Sequence, residues 1–253
     1  MDRINAFLRR IGLDESAPEK SLEFLGKVQN ACVLTIPYEN LDILSGIHIS
    51  LDKDDIYDKI VKNRRGGYCF ELNGLLHHML EEMGFSVRSC FARFLRGESA
   101  IPFRRHRVVI AELCGEEYLL DIGVGQIAPR FPLKLCEGLV QKQGEEAYRF
   151  EKDKDLGWIL CDLYKGEWRR YISFTDEIQY DIDFVPASFW CEKNPDSPFN
   201  KAPMLAIKTE NGRKTVDGRD FKIFEGEKLV SISEGLNDTE LHRVYSEHFG
   251  INI

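Results

Sequence analysis

Six residues, Leu72, Leu75, Leu76, Met79, Leu80 and Met83, lie at offsets 0, 3, 4, 7, 8 and 11. That 3.6-residue stripe specifies a helix whose apolar face must be buried against other parts of the chain. Gly66-Gly67 upstream allows a tight turn and Gly84 downstream supplies a stop, so a helix over residues 69–83 is predicted with both ends set. After Gly84 the texture changes. Residues 86–96, 106–113 and 117–122 are rich in Val, Phe, Tyr and Ile and read as strands, with more near 148–152, 158–164 and 167–174.

Before the stripe, Ile4, Phe7, Leu8 and Ile11 fall at helical spacing, and further helices are expected over residues 22–33 and 52–63, with Asp52 or Asp54 as cap of the second. The middle third therefore reads as antiparallel strands forming a small barrel or curled sheet on a helical first third. The last part is mixed. An apolar cluster at 184–190 and a polar loop at 192–200 precede strands near 204–209, 214–216, 221–224 and 229–233, and a helix over 237–249.

Composition narrows the function classes. With 43% hydrophobic and 30% charged residues in 253, the chain is an ordinary globular one, which excludes a disordered tail, a collagen and a coiled coil. Its net charge is −8, and its basic clusters (Lys62, Arg64, Arg65 and Arg104, Arg105, Arg107) suit one small anion and not a duplex, so no nucleic-acid partner is expected. Seven cysteines at 21- to 37-residue spacings include no C-x-x-C pair, which signals neither a metal site nor a disulfide framework. No secretory leader and no membrane span are expected either, which together reads as a reduced, cytoplasmic protein.

Cys69 follows the Gly-Gly turn at the first turn of the strongest helix, where unpaired N–H groups favour a thiolate. His106 opens a strand directly after a basic turn. Asp121 terminates the apolar strand Tyr118-Leu119-Leu120, a position costly to bury without a partner. If those two strands pair as a hairpin about Cys114–Glu116, His106 and Asp121 become neighbours, and with Cys69 they form a nucleophile, a base and an orienting carboxylate. These residue types leave open a cysteine protease, a transglutaminase-like acyl transferase working without a coenzyme, or a binding module in which all three are structural. Gly123-Val124-Gly125-Gln126-Ile127-Ala128 matches a dinucleotide fingerprint, but Pro129 and Pro132 follow at once, so the segment is expected to be a loop.

Five segments in order resemble the arylamine N-acetyltransferases: Pro37-Tyr38-Glu39-Asn40-Leu41, Arg65-Gly66-Gly67-Tyr68-Cys69-Phe70-Glu71-Leu72-Asn73, His106, Asp121-Ile122-Gly123-Val124-Gly125, and Pro195-Asp196-Ser197-Pro198-Phe199. The resemblance implies an α+β fold in three parts: a helical bundle (1–84) carrying Cys69, a β-barrel (85–180) carrying His106 and Asp121, and an α/β lid (181–253). It also implies ping-pong acetyl transfer from acetyl-CoA through an acetyl-cysteine, to an arylamine, arylhydrazine or N-hydroxyarylamine. Glu39, Arg65 and Asn73 are expected to support the triad. Phe103, Arg104, Arg105 and Phe199 are expected to meet coenzyme A, and Val124 and Gly125 the acceptor. Val124 stands where the family usually has Phe or Ser.

Overall fold

A computed structural model describes residues 2–13 and 19–252. Helices α1 (Asp2–Arg10) and α2 (Leu22–Thr35) are followed by a two-residue strand β1 (Tyr38–Glu39), a short α3 (Leu41–Leu44), α4 (Lys53–Tyr57) and α5 (Cys69–Glu82). The Ser21 hydroxyl caps α2 by accepting the Phe24 N–H at 3.1 Å, and Asp52 caps α4 by accepting the Asp54 N–H at 2.8 Å. The stripe of α5 is buried with Phe7, Leu25, Val28 and Ile60 in one core. Each such leucine contributes roughly 1.5–3 kcal/mol by leaving water. Gly84 ends the helix at a φ of 83°, a left-handed conformation that a side chain would oppose.

One expected helix differs from the sequence reading. The segment over 52–63 is α-helical only to Tyr57 and then makes a single π-helical turn, Asp58–Lys62. Such a turn inserts an extra residue and re-aims the side chains within it.

Strands β2 (Ser86–Phe94), β3 (His106–Leu113), β4 (Glu116–Leu120), β5 (Leu133–Lys134), β6 (Gln141–Gln143), β7 (Glu146–Asp153), β8 (Gly157–Tyr164) and β9 (Glu167–Phe174) form one antiparallel sheet in the order β5-β4-β3-β2-β9-β8-β7-β6. Its two edges nearly meet. Gln141 accepts the Lys134 N–H at 2.8 Å and donates back to the Lys134 carbonyl at 3.0 Å, so side-chain bonds span the gap and the sheet is a nearly closed barrel. Strands β5 and β6 escape the sequence reading because two or three residues carry no period.

Alternation sorts β3 between two cores. Val108 and Ile110 point into the barrel, whereas Val109 and Ala111 pack on the helices. The β3–β4 hairpin pairs Val109 with Leu120, which sets Asp121 beyond the last pair on the same face as His106.

Beyond the barrel, the apolar cluster near 184–190 is helix α6 (Asp181–Lys193), which forms despite an internal Pro186. Strands β10 (Met204–Thr209), β11 (Gly212–Asp217), β12 (Asp220–Glu225) and β13 (Lys228–Ser233) build a second sheet, and α7 (Asp238–Phe249) completes its core with Leu241, Val244 and Phe249. β1 joins this sheet by pairing Tyr38 with Ala206, so the segment just ahead of the Gly-Gly turn is tied to the C-terminal strands. Among the described residues no helix is long and apolar enough to cross a membrane.

Candidate active site

The turn into α5 is pinned from both sides. Gly66 lies so close to β1 that a Cβ would sit 2.1 Å from the Pro37 carbonyl oxygen. The Gly67 carbonyl accepts the Glu39 N–H at 2.9 Å. Cys69 is thereby fixed as the first residue of α5. On its other side Gly123 approaches to where a Cβ would be 2.8 Å from the Cys69 Cα, so the loop after Asp121 closes against the thiol-bearing residue.

His106 and Asp121 meet as the hairpin predicts, with His106 Nε2 2.7 Å from Asp121 Oδ2 and Cys69, His106 and Asp121 all 4% exposed or less. The imidazole uses Nε2 for the carboxylate, which leaves Nδ1 for a reaction partner. Asp121 Oδ1 accepts the Asn73 side-chain amide at 2.9 Å and the Gly123 N–H at 2.9 Å. Asn73 also donates to the Arg107 carbonyl at 2.5 Å and accepts the Ile122 N–H at 2.9 Å, stapling α5 to both strands of the hairpin. The buried carboxylate is fully partnered, which is the condition for holding it there.

Burial pushes the Cys69 thiol well up from its ordinary range, reinforced by Cys191 and Asp121, while backbone donors pull the other way. Burial and the helix N-terminus therefore act in opposite directions on this thiol. Arg65 places Nε 3.1 Å and Nη2 2.8 Å from Glu39 Oε1, so the two form an ion pair, with the Glu39 side chain fully buried.

Cys69 and His106 open onto a cavity of about 550 Å³. Its walls include Val124, Gly125, Phe199 and Arg105, together with Met204, Asp217, Lys222 and Phe224 of the second sheet. Phe103 lies elsewhere, edge-on to Trp190 at 4.5 Å, and Arg104 pairs on the surface with Glu177 at 3.0 Å. Arg105 is held by Glu98 at 2.9 Å. The Gly123–Ala128 segment is a loop with one 3₁₀ turn at Gly125–Ile127, so no helix follows to receive a pyrophosphate. Away from the cavity, His77, His78 and Glu81 bring ligand-type atoms within 4.8 Å of one another, though His78 already faces Asp181 at 3.1 Å.

Sequence reading missed Lys59, Asp42 and Glu71, which join Arg65 and Glu39 in one ion-pair chain, and missed the contribution of Asp217 and Lys222. Glu71 lies inside the Arg65–Asn73 motif and Asp42 directly follows Pro37–Leu41, so both were within reach of the sequence. Lys59 and Lys222 carry no local signal.

A profile of the N-acetyltransferase family matches residues 21–253. An arylamine N-acetyltransferase of Mycobacterium tuberculosis is 32% identical over 258 residues, covering 99% of this chain and 89% of that protein. Among solved structures, the Salmonella typhimurium arylamine N-acetyltransferase superposes with a TM-score of 0.94 at 28% identity, covering 99% and 92% of the two chains. The Mycobacterium marinum enzyme, solved in complex with CoA, gives 0.91 at 29% identity, covering 98% and 93%.

Proposed function

The chain belongs to the arylamine N-acetyltransferase family and is an acetyltransferase, and from that premise we propose a ping-pong reaction carried by Cys69, His106 and Asp121. Acetyl-CoA is the donor in this reading, in line with the M. marinum relative's complex with CoA. The acceptor is an arylamine, arylhydrazine or N-hydroxyarylamine.

His106 Nδ1 takes the proton of the Cys69 thiol, and the thiolate attacks the thioester carbonyl. The carbon–sulfur bond to coenzyme A breaks and its thiolate leaves with the proton from the imidazolium, giving acetyl-Cys69. The acceptor nitrogen, or the oxygen of a hydroxylamine, then attacks that carbonyl. His106 removes its proton and returns it to the departing Cys69 sulfur. Asp121 holds the ring in one tautomer and stabilises its charged form. Burial disfavours a lone thiolate, and in this reading the proton passed to His106 leaves a positive imidazolium that offsets its charge.

The observation that carries this reading is the buried 2.7 Å His106–Asp121 contact opening, with Cys69, onto one cavity. Phe199 and Arg105 border the path of the donor, Val124 and Gly125 that of the acceptor, and Glu39, Arg65 and Asn73 support the turn and the carboxylate. Arg104, paired at the surface, and Phe103, on Trp190, belong to the approach and not to the cavity wall. Residues 1–84, 85–180 and 181–253 then supply nucleophile, base with carboxylate, and cover. Seven free cysteines suit the cytoplasm.

Intact-mass spectrometry after mixing with acetyl-CoA tests the covalent step. One added acetyl group on Cys69, absent in Cys69→Ser together with all transfer, is the expected result. Acetyl transfer that survives in Cys69→Ser, or an adduct on another cysteine, rejects the assignment.

A further inference from the structure

A second cavity, sharing no wall residue with the first, measures about 460 Å³ and is lined in part by Asp42, Lys59, Arg65 and Glu71. Its charged groups form one continuous chain. Arg65 Nη2 lies 2.8 Å from Glu39 Oε1 and 2.8 Å from Asp42 Oδ1. Lys59 Nζ lies 2.7 Å from Asp42 Oδ2 and 2.7 Å from Glu71 Oε1. The other Glu71 oxygen accepts the Tyr68 N–H at 3.1 Å, one residue ahead of Cys69. Gly67 is packed against the same carboxylate, where a Cβ would fall 2.9 Å from Oε2.

Lys59 reaches this place through the π-helical turn at Asp58–Lys62, a local departure from α geometry of the kind that concentrates at functional positions. Three carboxylates share two cations, and Arg65 is committed to Glu39 and Asp42. The charge of Glu71 is therefore opposed by Lys59.

A carboxylate and a thiolate two residues apart at one helix N-terminus compete for the same amide dipoles and repel each other. Building on the reading of Cys69 as nucleophile, we infer that Lys59 is a positioning residue for the reaction: by cancelling the Glu71 charge it keeps that carboxylate as a cap on the Tyr68 N–H and leaves the start of α5 free to favour the Cys69 thiolate. Lys59 touches neither Cys69 nor the cavity that holds it, so its influence passes through Glu71. Burial works against the Lys59 ammonium, but Glu71, Glu39 and Asp42 outweigh it and hold it charged.

Other groups also act on the thiol: Arg107 on β3, Asp121 just after β4, Tyr38 on β1, Tyr68 ahead of α5 and Cys191 on α6, with His106 and Arg105 lining the same cavity. Glu71 is faced by Lys59 and, further off, Glu39. Changing Lys59 and Glu71 leaves all the others in place.

The test follows the rate of Cys69 alkylation by iodoacetamide against pH in the full chain, read by peptide mass and independent of acetyl transfer. Lys59→Met should move the midpoint up by about one unit, a roughly tenfold slower reaction below it. Glu71→Gln should move it down, because the amide still accepts the Tyr68 N–H without the charge. Lys59→Met/Glu71→Gln and Lys59→Arg should both return close to the wild type. A Lys59 whose only role is to hold the fold would lower the melting temperature, leave the midpoint unmoved and gain nothing from the second substitution, and that result overturns the inference. Should Lys59→Met fail to fold, an unmoved midpoint in Glu71→Gln overturns it alone. Absence of Cys69 alkylation in the wild type would instead reject the nucleophile reading on which it stands.

Discussion

The two walls of the larger cavity are built differently. On the wall made by α5 and the barrel, Asp121 is held by His106, Asn73 and Gly123, and Asn73 spends its whole side chain bridging the hairpin to the helix. On the wall made by the second sheet, Met204, Ala206, Val216 and Phe224 offer shape, and Lys222 pairs only loosely with Asp220 at 3.7 Å. The first wall fixes a geometry before any ligand arrives, which is what transition-state stabilisation requires. The second presents apolar surface and lightly tied charge, which suits binding.

If that division is right, damage to the first wall should cost rate and stability, and damage to the second should cost affinity. The largest effect is expected from Asp121→Asn, which keeps the hydrogen-bonding shape but cannot stabilise the imidazolium. A fall in kcat/KM of about 10²–10⁴-fold is expected, with an unchanged circular-dichroism spectrum. Near-normal turnover would make the carboxylate purely structural.

Arg65→Ala tests the support behind the same wall. It strands the fully buried Glu39 carboxylate, and breaking such a pair costs about 3–5 kcal/mol, to be read by chemical denaturation alongside the rate. A loss of rate at unchanged stability would move Arg65 into the chemistry itself.

A smaller effect concerns acid. Burial, with Arg107 and His78 adding to it, lowers His77 on α5 from 6.5 to about 4, and its Nδ1 lies 3.2 Å from the Ser89 hydroxyl of β2. The unfolded chain therefore takes up a proton here that the folded chain refuses between about pH 6.5 and 4, so stability falls as pH falls through that window. Replacing His77 by Asn should flatten the decline by about 1–2 kcal/mol between pH 7 and 5, measured by urea titration at each pH. An unaltered slope would assign the acid sensitivity to other groups.

The second wall gives the smallest effect. Lys222→Ala should raise the KM for acetyl-CoA about threefold at low salt, less at high salt, and leave kcat within twofold. Arg104→Ala should do less, because Glu177 already neutralises that guanidinium at the surface. A larger response from Arg104 than from Lys222 would place the anionic end of the donor at the surface turn and not against the second sheet.

What is encoded within about fifteen residues of chain is legible in the sequence. The stripe of α5, the Gly-Gly turn that ends in Cys69, and the hairpin joining His106 to Asp121 each carry their own period or turn signal. Helix α6 was obscured by Pro186, and β5 and β6 by their length. Arg104 and Arg105 were conspicuous as a basic cluster, yet their ion pairs reach to Glu177 and Glu98, and only Arg105 lines the cavity.

Residue type and local order thus determined by themselves that a thiol, an imidazole and a carboxylate could come together, since backbone periodicity decides which side chains share a face. Tertiary structure alone decided that the Cys69 thiol is buried, that β1 ties the Gly-Gly turn to the C-terminal sheet, and that Lys59 opposes Glu71 beneath it. Those outcomes depend on which distant segments exclude water and which charges they bring within a few ångströms of each other, and desolvation and charge pairing leave no mark on local sequence order.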